Sequence, residues 1–212
     1  KAGIPVINLD TKFDAEAIKA AGLKPIPFIG TDNYYGAQIA GWFALSLLGA
    51  EGEVAILTGV AGQQNAADRR NGFYDIVSEY DGIKVVAEQT ANWEVEQGYN
   101  VTQNILQANP GLDLIFASND NMGLGARKAV EEAKKDITVI GYDAVPAALD
   151  AVKMGTFAGT IAQFPAEMGI KGVQTALDIK AGKEVPTNIQ TASKLIYMAN
   201  VDWFIDYLSD FE

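Results

Sequence analysis

The chain has 212 residues, 49% of them hydrophobic and 20% charged, which can fill one large core or two smaller ones and argues against disorder. Its net charge of −11, with acidic residues spread along the chain, repels phosphate backbones and argues against nucleic acid as a partner. Cysteine and histidine are both absent, which excludes disulfides, thiolate chemistry, Ser-His-Asp and Cys-His catalysis, and His-based zinc sites.

In chain order, Lys1-Ala2-Gly3 leads without a signal sequence into the apolar run of residues 4–9, Ile-Pro-Val-Ile-Asn-Leu. This run predicts a buried strand, of a kind met inside a domain rather than at its start. Pro25 and Pro27 then mark an extended connection. Residues 35–48 have helical period, with Ile39, Trp42, Phe43, Leu45 and Leu47 crowding one broad face. Further strands are expected at 54–58, 85–88, 112–117, 137–141 and 159–162, and a helix at 66–80 with Phe73, Ile76 and Val77 inward. The strand runs are apolar throughout rather than alternating, the mark of strands covered on both faces. Alternation of such strands with helices predicts βαβ units and a doubly wound α/β layer structure. In the tail 201–211 Trp203, Phe204, Tyr207, Leu208 and Phe211 recur at helical spacing. That tail either packs on the preceding layer or presents a docking face. No apolar run approaches the roughly 20 residues needed to span a bilayer.

In open α/β sheets ligands bind at the carboxyl ends of the strands, so the polar residues directly after each apolar run are the informative ones. Asp10 follows the first run, Gly59-Val60-Ala61-Gly62 the second, Ala91-Asn92-Trp93 the third. Ser118-Asn119-Asp120, Tyr142-Asp143 and Gln163 follow the next three, with Arg69 one turn into the helix after Gly62. Carboxylates and amides exchange directional hydrogen bonds with hydroxyls, and an aromatic face accepts the apolar side of a ring. The set therefore suits a polyhydroxylated ligand. Each residue also has a plainer reading: Asp or Asn after a strand is a common turn former or helix N-cap, Trp93 can be core, and Arg69 can be solvated beside Asp68 and Arg70. The glycine loop lacks both the G-x-G-x-x-G and the G-x-x-x-x-G-K-[ST] pattern, which argues against a nucleotide.

The stretches GIPVINLD, FIGTDNYYGAQIAG, GVAGQQNAADRRNGF, FASNDNMGLGA, VIGYDAVPAALDAVKMGTFAGTIAQFP and GKEVP together resemble the ribose and galactose receptors of bacterial ABC transporters over nearly the whole chain. The resemblance implies a periplasmic-binding-protein type I fold, a doubly wound parallel sheet in each of two lobes joined by three crossing strands, with a sugar trapped between the lobes. It places a remnant of the N-terminal lobe at 1–31 and 164–192 and a complete C-terminal lobe at 32–163 and 193–212. It makes Asp10, Arg69, Trp93, Asn119, Asp143 and Gln163 ligand-binding residues. Thr11 stands where the ribose receptors carry arginine, and the calcium loop of the galactose type has no counterpart, so neither a metal nor a cofactor is expected.

By the same resemblance the protein captures a monosaccharide or polyol, delivers it to an ABC permease and is not an enzyme. Its place would be the periplasm or, lipid-anchored, the outer surface of a Gram-positive cell. By this resemblance about a hundred residues of the first lobe are expected to be missing ahead of Lys1, through a separate companion chain, proteolysis or truncation. The alternative is the effector-binding core of a lactose-repressor-type regulator, which shares the two-lobed fold. A carboxylate hydrolase using Asp10 and Asp143 would be a third reading, but the resemblance assigns both acids to ligand hydroxyls.

Overall fold

Valine, isoleucine and leucine in short uninterrupted runs form the centre of this protein, because a strand clothed by helices on both faces has no wet side on which to place polar residues. The computed structural model describes residues 3–211. The elements run β1 (Asn8–Leu9), α1 (Ala15–Ala20), β2 (Phe28–Thr31), α2 (Asn33–Leu48), β3 (Gly52–Thr58), α3 (Gln64–Val77), β4 (Ile83–Thr90) and α4 (Val95–Ala108). They continue as β5 (Leu112–Ala117), α5 (Asp120–Glu132), β6 (Thr138–Asp143), α6 (Pro146–Lys153) and β7 (Gly159–Ala162). The remainder are α7 (Pro165–Lys180), β8 (Asn188–Thr191), β9 (Lys194–Tyr197) and α8 (Val201–Ser209). Contacts divide the chain into two units. One holds the described residues up to Asp32 with Gln163–Ser193; the other holds Asn33–Ala162 and the described residues from Lys194 onward.

The larger unit is built on a six-stranded sheet in the order β4-β3-β5-β6-β7-β9, parallel except for β9, which runs antiparallel to β7. Strand β3 splits its side chains between two cores. Val54 and Ile56 face α2 and α3 with Phe73, Ile76 and Leu45, whereas Ala55 and Leu57 face α4 and α5 with Ile105, Met122 and Val130. The rings of Phe73 and Phe116 stack at 4.2 Å between centroids. Strand β4 departs from the expectation of two covered faces. Among the described residues it pairs only with β3, and it is half-exposed or exposed along most of its length, because it is the sheet edge.

Two sequence expectations need correction here. The inward face of α2 is lined mainly by small residues: Gly36, Ala37, Ala40, Gly41 and Ala44 are buried with Leu45, while Ile39 and Phe43 pack half-buried against the same core and Trp42 and Leu47 are exposed. The cause is the close approach of α3, where a Cβ on Gly72 would lie 2.1 Å from the Tyr34 carbonyl oxygen. Only small residues fit between helices that near. Likewise, the predicted strand over residues 4–9 pairs only at Asn8 and Leu9, leaving Ile4 and Val6 exposed. Pro5 has no N–H to donate, and β1 forms an edge with β2 as its only partner among the described residues.

The smaller unit has three parallel strands in the order β1-β2-β8, with β2 fully buried at the centre and α7 packed against it. The apolar runs predict a single strand here; β2 and β8 are additional. Helix α1 begins at an Asp14 cap, whose side chain accepts the Ala17 N–H at 2.7 Å, and carries Glu16 in its first turn and Lys19 in its last. Among the described residues no helix is long and apolar enough to cross a membrane.

Candidate functional site

Parallel pairing aligns the carboxyl ends of β3, β4, β5 and β6 on one edge of the larger sheet. Chain order reverses between β3 and β5, the switch point at which loops diverge and leave a crevice. Four of the six sequence-flagged residues lie at that edge. Trp93 follows β4, Asn119 follows β5, Asp143 ends β6, and Arg69 projects from the helix after β3.

Arg69 is the hub. Its side chain is only 5% exposed, so the plainer reading as a solvated helix residue does not hold. Its Nε donates to Asn33 Oδ1 at 2.7 Å, and its Nη1 donates to the Ser118 carbonyl at 2.8 Å and to Asp143 Oδ1 at 2.9 Å. The guanidinium carbon lies 3.9 Å from the centroid of the Tyr142 ring and 5.5 Å from that of Trp93. A buried guanidinium demands this set of acceptors, because an uncompensated charge would be strongly destabilising there. Paired with Asp143 it leaves the cluster balanced in charge.

Trp93 is held by its own polar end and by an absence opposite its ring. Its Nε1 donates to Gln63 Oε1 at 2.7 Å. A Cβ on Gly59 would fall 1.9 Å from the indole, so glycine is required in the loop after β3. Thr90 closes the same corner, its hydroxyl donating to the Gly59 carbonyl at 2.7 Å. Asn119 is the N-cap of α5: its Oδ1 accepts the Met122 N–H at 2.9 Å, and its Nδ2 donates to the Trp93 carbonyl at 3.3 Å. The capping role weighed from sequence is thus present in Asn119.

Backbone strain gathers at the same edge. Asn92, Trp93, Asp143 and Ala144 all have positive φ, at 51°, 69°, 114° and 59°. For non-glycine residues such conformations cost about 1–3 kcal/mol each and persist where surrounding structure enforces them, often at functional sites.

Two further residues of the cluster, Asn33 and Gln63, carry no signal in the sequence, and Asp120 stands among the strand-end residues without being marked as a contact. Asp120 is fully buried at the start of α5. Its Oδ2 accepts the Val145 N–H at 2.9 Å and its Oδ1 the Thr160 hydroxyl at 2.7 Å. Burial, reinforced by the charge of Asp143, pushes its carboxyl up to about 8, against the pull of the Thr160, Val145 and Ala144 donors. In sequence, an acid in the first turn of a helix looks the same whether buried or solvated, so only Asn119 beside it stood out.

The other two flagged residues belong to the smaller unit. Asp10 follows β1 with φ 65°, is exposed, and accepts the Thr11 hydroxyl at 3.3 Å. Gln163 accepts the hydroxyl of Thr31, the last residue of β2, at 2.7 Å through Oε1. Among the described residues no three carboxylates gather to hold a metal ion.

A family model described as "Periplasmic binding protein domain" matches residues 1–184. The chain is 38% identical over 200 residues to the D-allose-binding periplasmic protein of Escherichia coli K12, covering 92% of this chain and 64% of the relative. It is 38% identical over 197 residues to the ribose import binding protein RbsB of the same organism, with the same coverages of 92% and 64%. Among solved structures, an ABC transporter periplasmic solute-binding protein of Actinobacillus succinogenes with bound D-allose superposes with a TM-score of 0.90 at 40% identity, over 95% of this chain and 71% of that one. A solute-binding protein of Bacillus halodurans with bound myo-inositol gives a TM-score of 0.86 at 31% identity, over 96% and 69%. The chain therefore spans about 64% of the length of these curated relatives. These matches give no support to the repressor reading. On the family match, the identity and the shared doubly wound architecture, the chain belongs to the periplasmic binding proteins of the type I fold.

Proposed function

We propose that the protein is a solute receptor that binds a monosaccharide or polyol and serves an ABC permease at the cell envelope. The observation that carries this reading is the charge-balanced cluster at the carboxyl ends of β3 to β6. Arg69 and Asp143 neutralise one another at 2.9 Å, Asn119 adds an amide and Trp93 an aromatic face. A site with strong directional donors and acceptors but little net charge suits a neutral, hydroxyl-rich molecule better than an anion or a cation. Arg69, Trp93, Asn119 and Asp143 are its proposed contacts in the larger unit, and Asp10 and Gln163 are proposed contacts of the smaller one.

The named relatives support the ligand class: they are described as binding D-allose or importing ribose, and solved structures hold D-allose and myo-inositol. Hydrogen bonds to charged groups contribute about 1.5–3 kcal/mol each. Five or six of them, less the cost of association, reach about −8 kcal/mol, which is roughly micromolar affinity.

Isothermal titration of the product of the whole reading frame against D-ribose, D-allose, D-galactose, D-arabinose and myo-inositol tests the proposal. At least one should bind with roughly micromolar affinity that changes little between low and high salt, as expected for an uncharged ligand. The absence of heat with every member, or binding that collapses with salt, would count against it.

A further inference from the structure

Asp120 is a fully buried carboxyl that the proposed ligand contacts do not use, and its surroundings are built around it. It begins α5 directly after Asn119, so its position follows that of the cap. From there it reaches across to the next two strands. Val145 N–H donates to its Oδ2 at 2.9 Å, and Thr160 on β7 donates to its Oδ1 at 2.7 Å. The Thr160 hydroxyl oxygen in turn accepts the Ala144 N–H at 3.2 Å. The two peptide N–H groups that follow Asp143 are therefore held, directly or through one hydroxyl, by a single side chain. This is the same turn whose residues Asp143 and Ala144 have φ of 114° and 59°. Neither residue type favours that region unaided. The strand beneath is cut to fit, since a Cβ on Gly141 would lie 2.1 Å from Asp120 Oδ1.

We infer that Asp120 is a positioning residue of the ligand site: its carboxyl locks the Asp143–Ala144 turn at the end of β6 onto the start of α5, so that Asn119 and Asp143 are presented as one rigid pair. The locked turn also aims Asp143 Oδ1 at Arg69. Without it the turn can relax towards ordinary backbone angles and carry the carboxylate away from both the guanidinium and the ligand. The inference rests on the proposed reading of Asn119 and Asp143 as sugar contacts, while its geometric part stands apart from that reading.

Asp120→Ala and Asp120→Asn separate positioning from simple support of the fold. In Asp120→Asn the amide oxygen can still accept the Val145 N–H while its NH2 donates to Thr160, whose hydroxyl turns round; in Asp120→Ala both donors lose their partner. Affinities for D-allose and D-ribose would be measured calorimetrically well below each variant's Tm. Ile105→Ala, a core substitution in α4 remote from this turn in sequence, controls for lost stability. Asp120→Ala is expected to weaken binding by about tenfold or more, Asp120→Asn to stay within about threefold of the wild type, and Ile105→Ala to lower Tm with affinity unchanged. Wild-type affinity in Asp120→Ala would overturn the inference. If the wild type itself binds no sugar, the ligand reading fails, and the crystal structure of Asp120→Ala decides the rest. Asp143 leaving its positive φ and the 2.9 Å contact with Arg69 opening would sustain the positioning role, and an unchanged turn would refute it.

Discussion

At the scale of single residues, Arg69 meets Asn33, Ser118 and Asp143 with three donated hydrogen bonds and lies against the ring of Tyr142. A lysine has the charge but not the planar fork, so it can satisfy only part of that set. Arg69→Lys should therefore destabilise the protein by about 1–3 kcal/mol in urea denaturation and weaken sugar binding. A variant as stable as the wild type would show that the network contributes little. From sequence, Arg69 was visible because of its place one turn into the helix after a glycine loop, and Trp93, Asn119 and Asp143 because each directly follows an apolar run. Asn33 and Gln63 were not visible, since a neutral polar residue at the start of a helix gives no sign of what its side chain meets. Gln63 stands in the N-cap position of α3 without capping it, its side chain turned instead to the Trp93 indole.

At the scale of elements, Asp120 joins α5 to β6 and β7, and this bond should leave its mark on stability. Its carboxyl is raised from 3.8 to about 8 in the folded protein. Between those values the folded state holds a proton that the unfolded state has released. Stability from this group is thus fully present below about pH 4, falls as pH rises through the window, and is level above about pH 8. Asp120→Asn should remove this contribution, making the pH 5 to 7 profile less steeply downward by about 1 kcal/mol per pH unit in guanidinium titrations. Identical slopes in the two proteins would contradict the assignment. The same scale shows where reading apolar runs succeeds and fails. Strands β3, β5, β6 and β7 were legible because both faces are covered. The apolar spacing of α2 marks Leu45, Ile39 and Phe43 of its core side but also the exposed Trp42 and Leu47, because bulk does not report fit, and α3 lies so close that glycine and alanine fill most of the contact. Strand β8, with Asn188, Ile189, Gln190 and Thr191 mostly outside the core, carries no apolar run at all.

At the scale of the whole molecule, the doubly wound layer was legible from the alternation of strand and helix, and the family from six stretches spread over the chain. The pairing of the smaller unit was not. Its sheet takes strands from the two ends of the sequence, β2 bonding β8 from Phe28 and Asn188 onward, and no local pattern announces a partner 160 residues away. The net charge of −11 surrounds a cluster in which Arg69 and Asp143 cancel, which keeps polyanions off without selecting for a cationic ligand. The central claim is that the cluster at the ends of β3 to β6 holds a neutral sugar. A crystal structure of the product of the whole reading frame with D-allose or D-ribose tests it most directly. The account expects sugar hydroxyls within about 3 Å of Arg69, Asn119 and Asp143 with a ring face on Trp93. A sugar bound away from these four residues would contradict it.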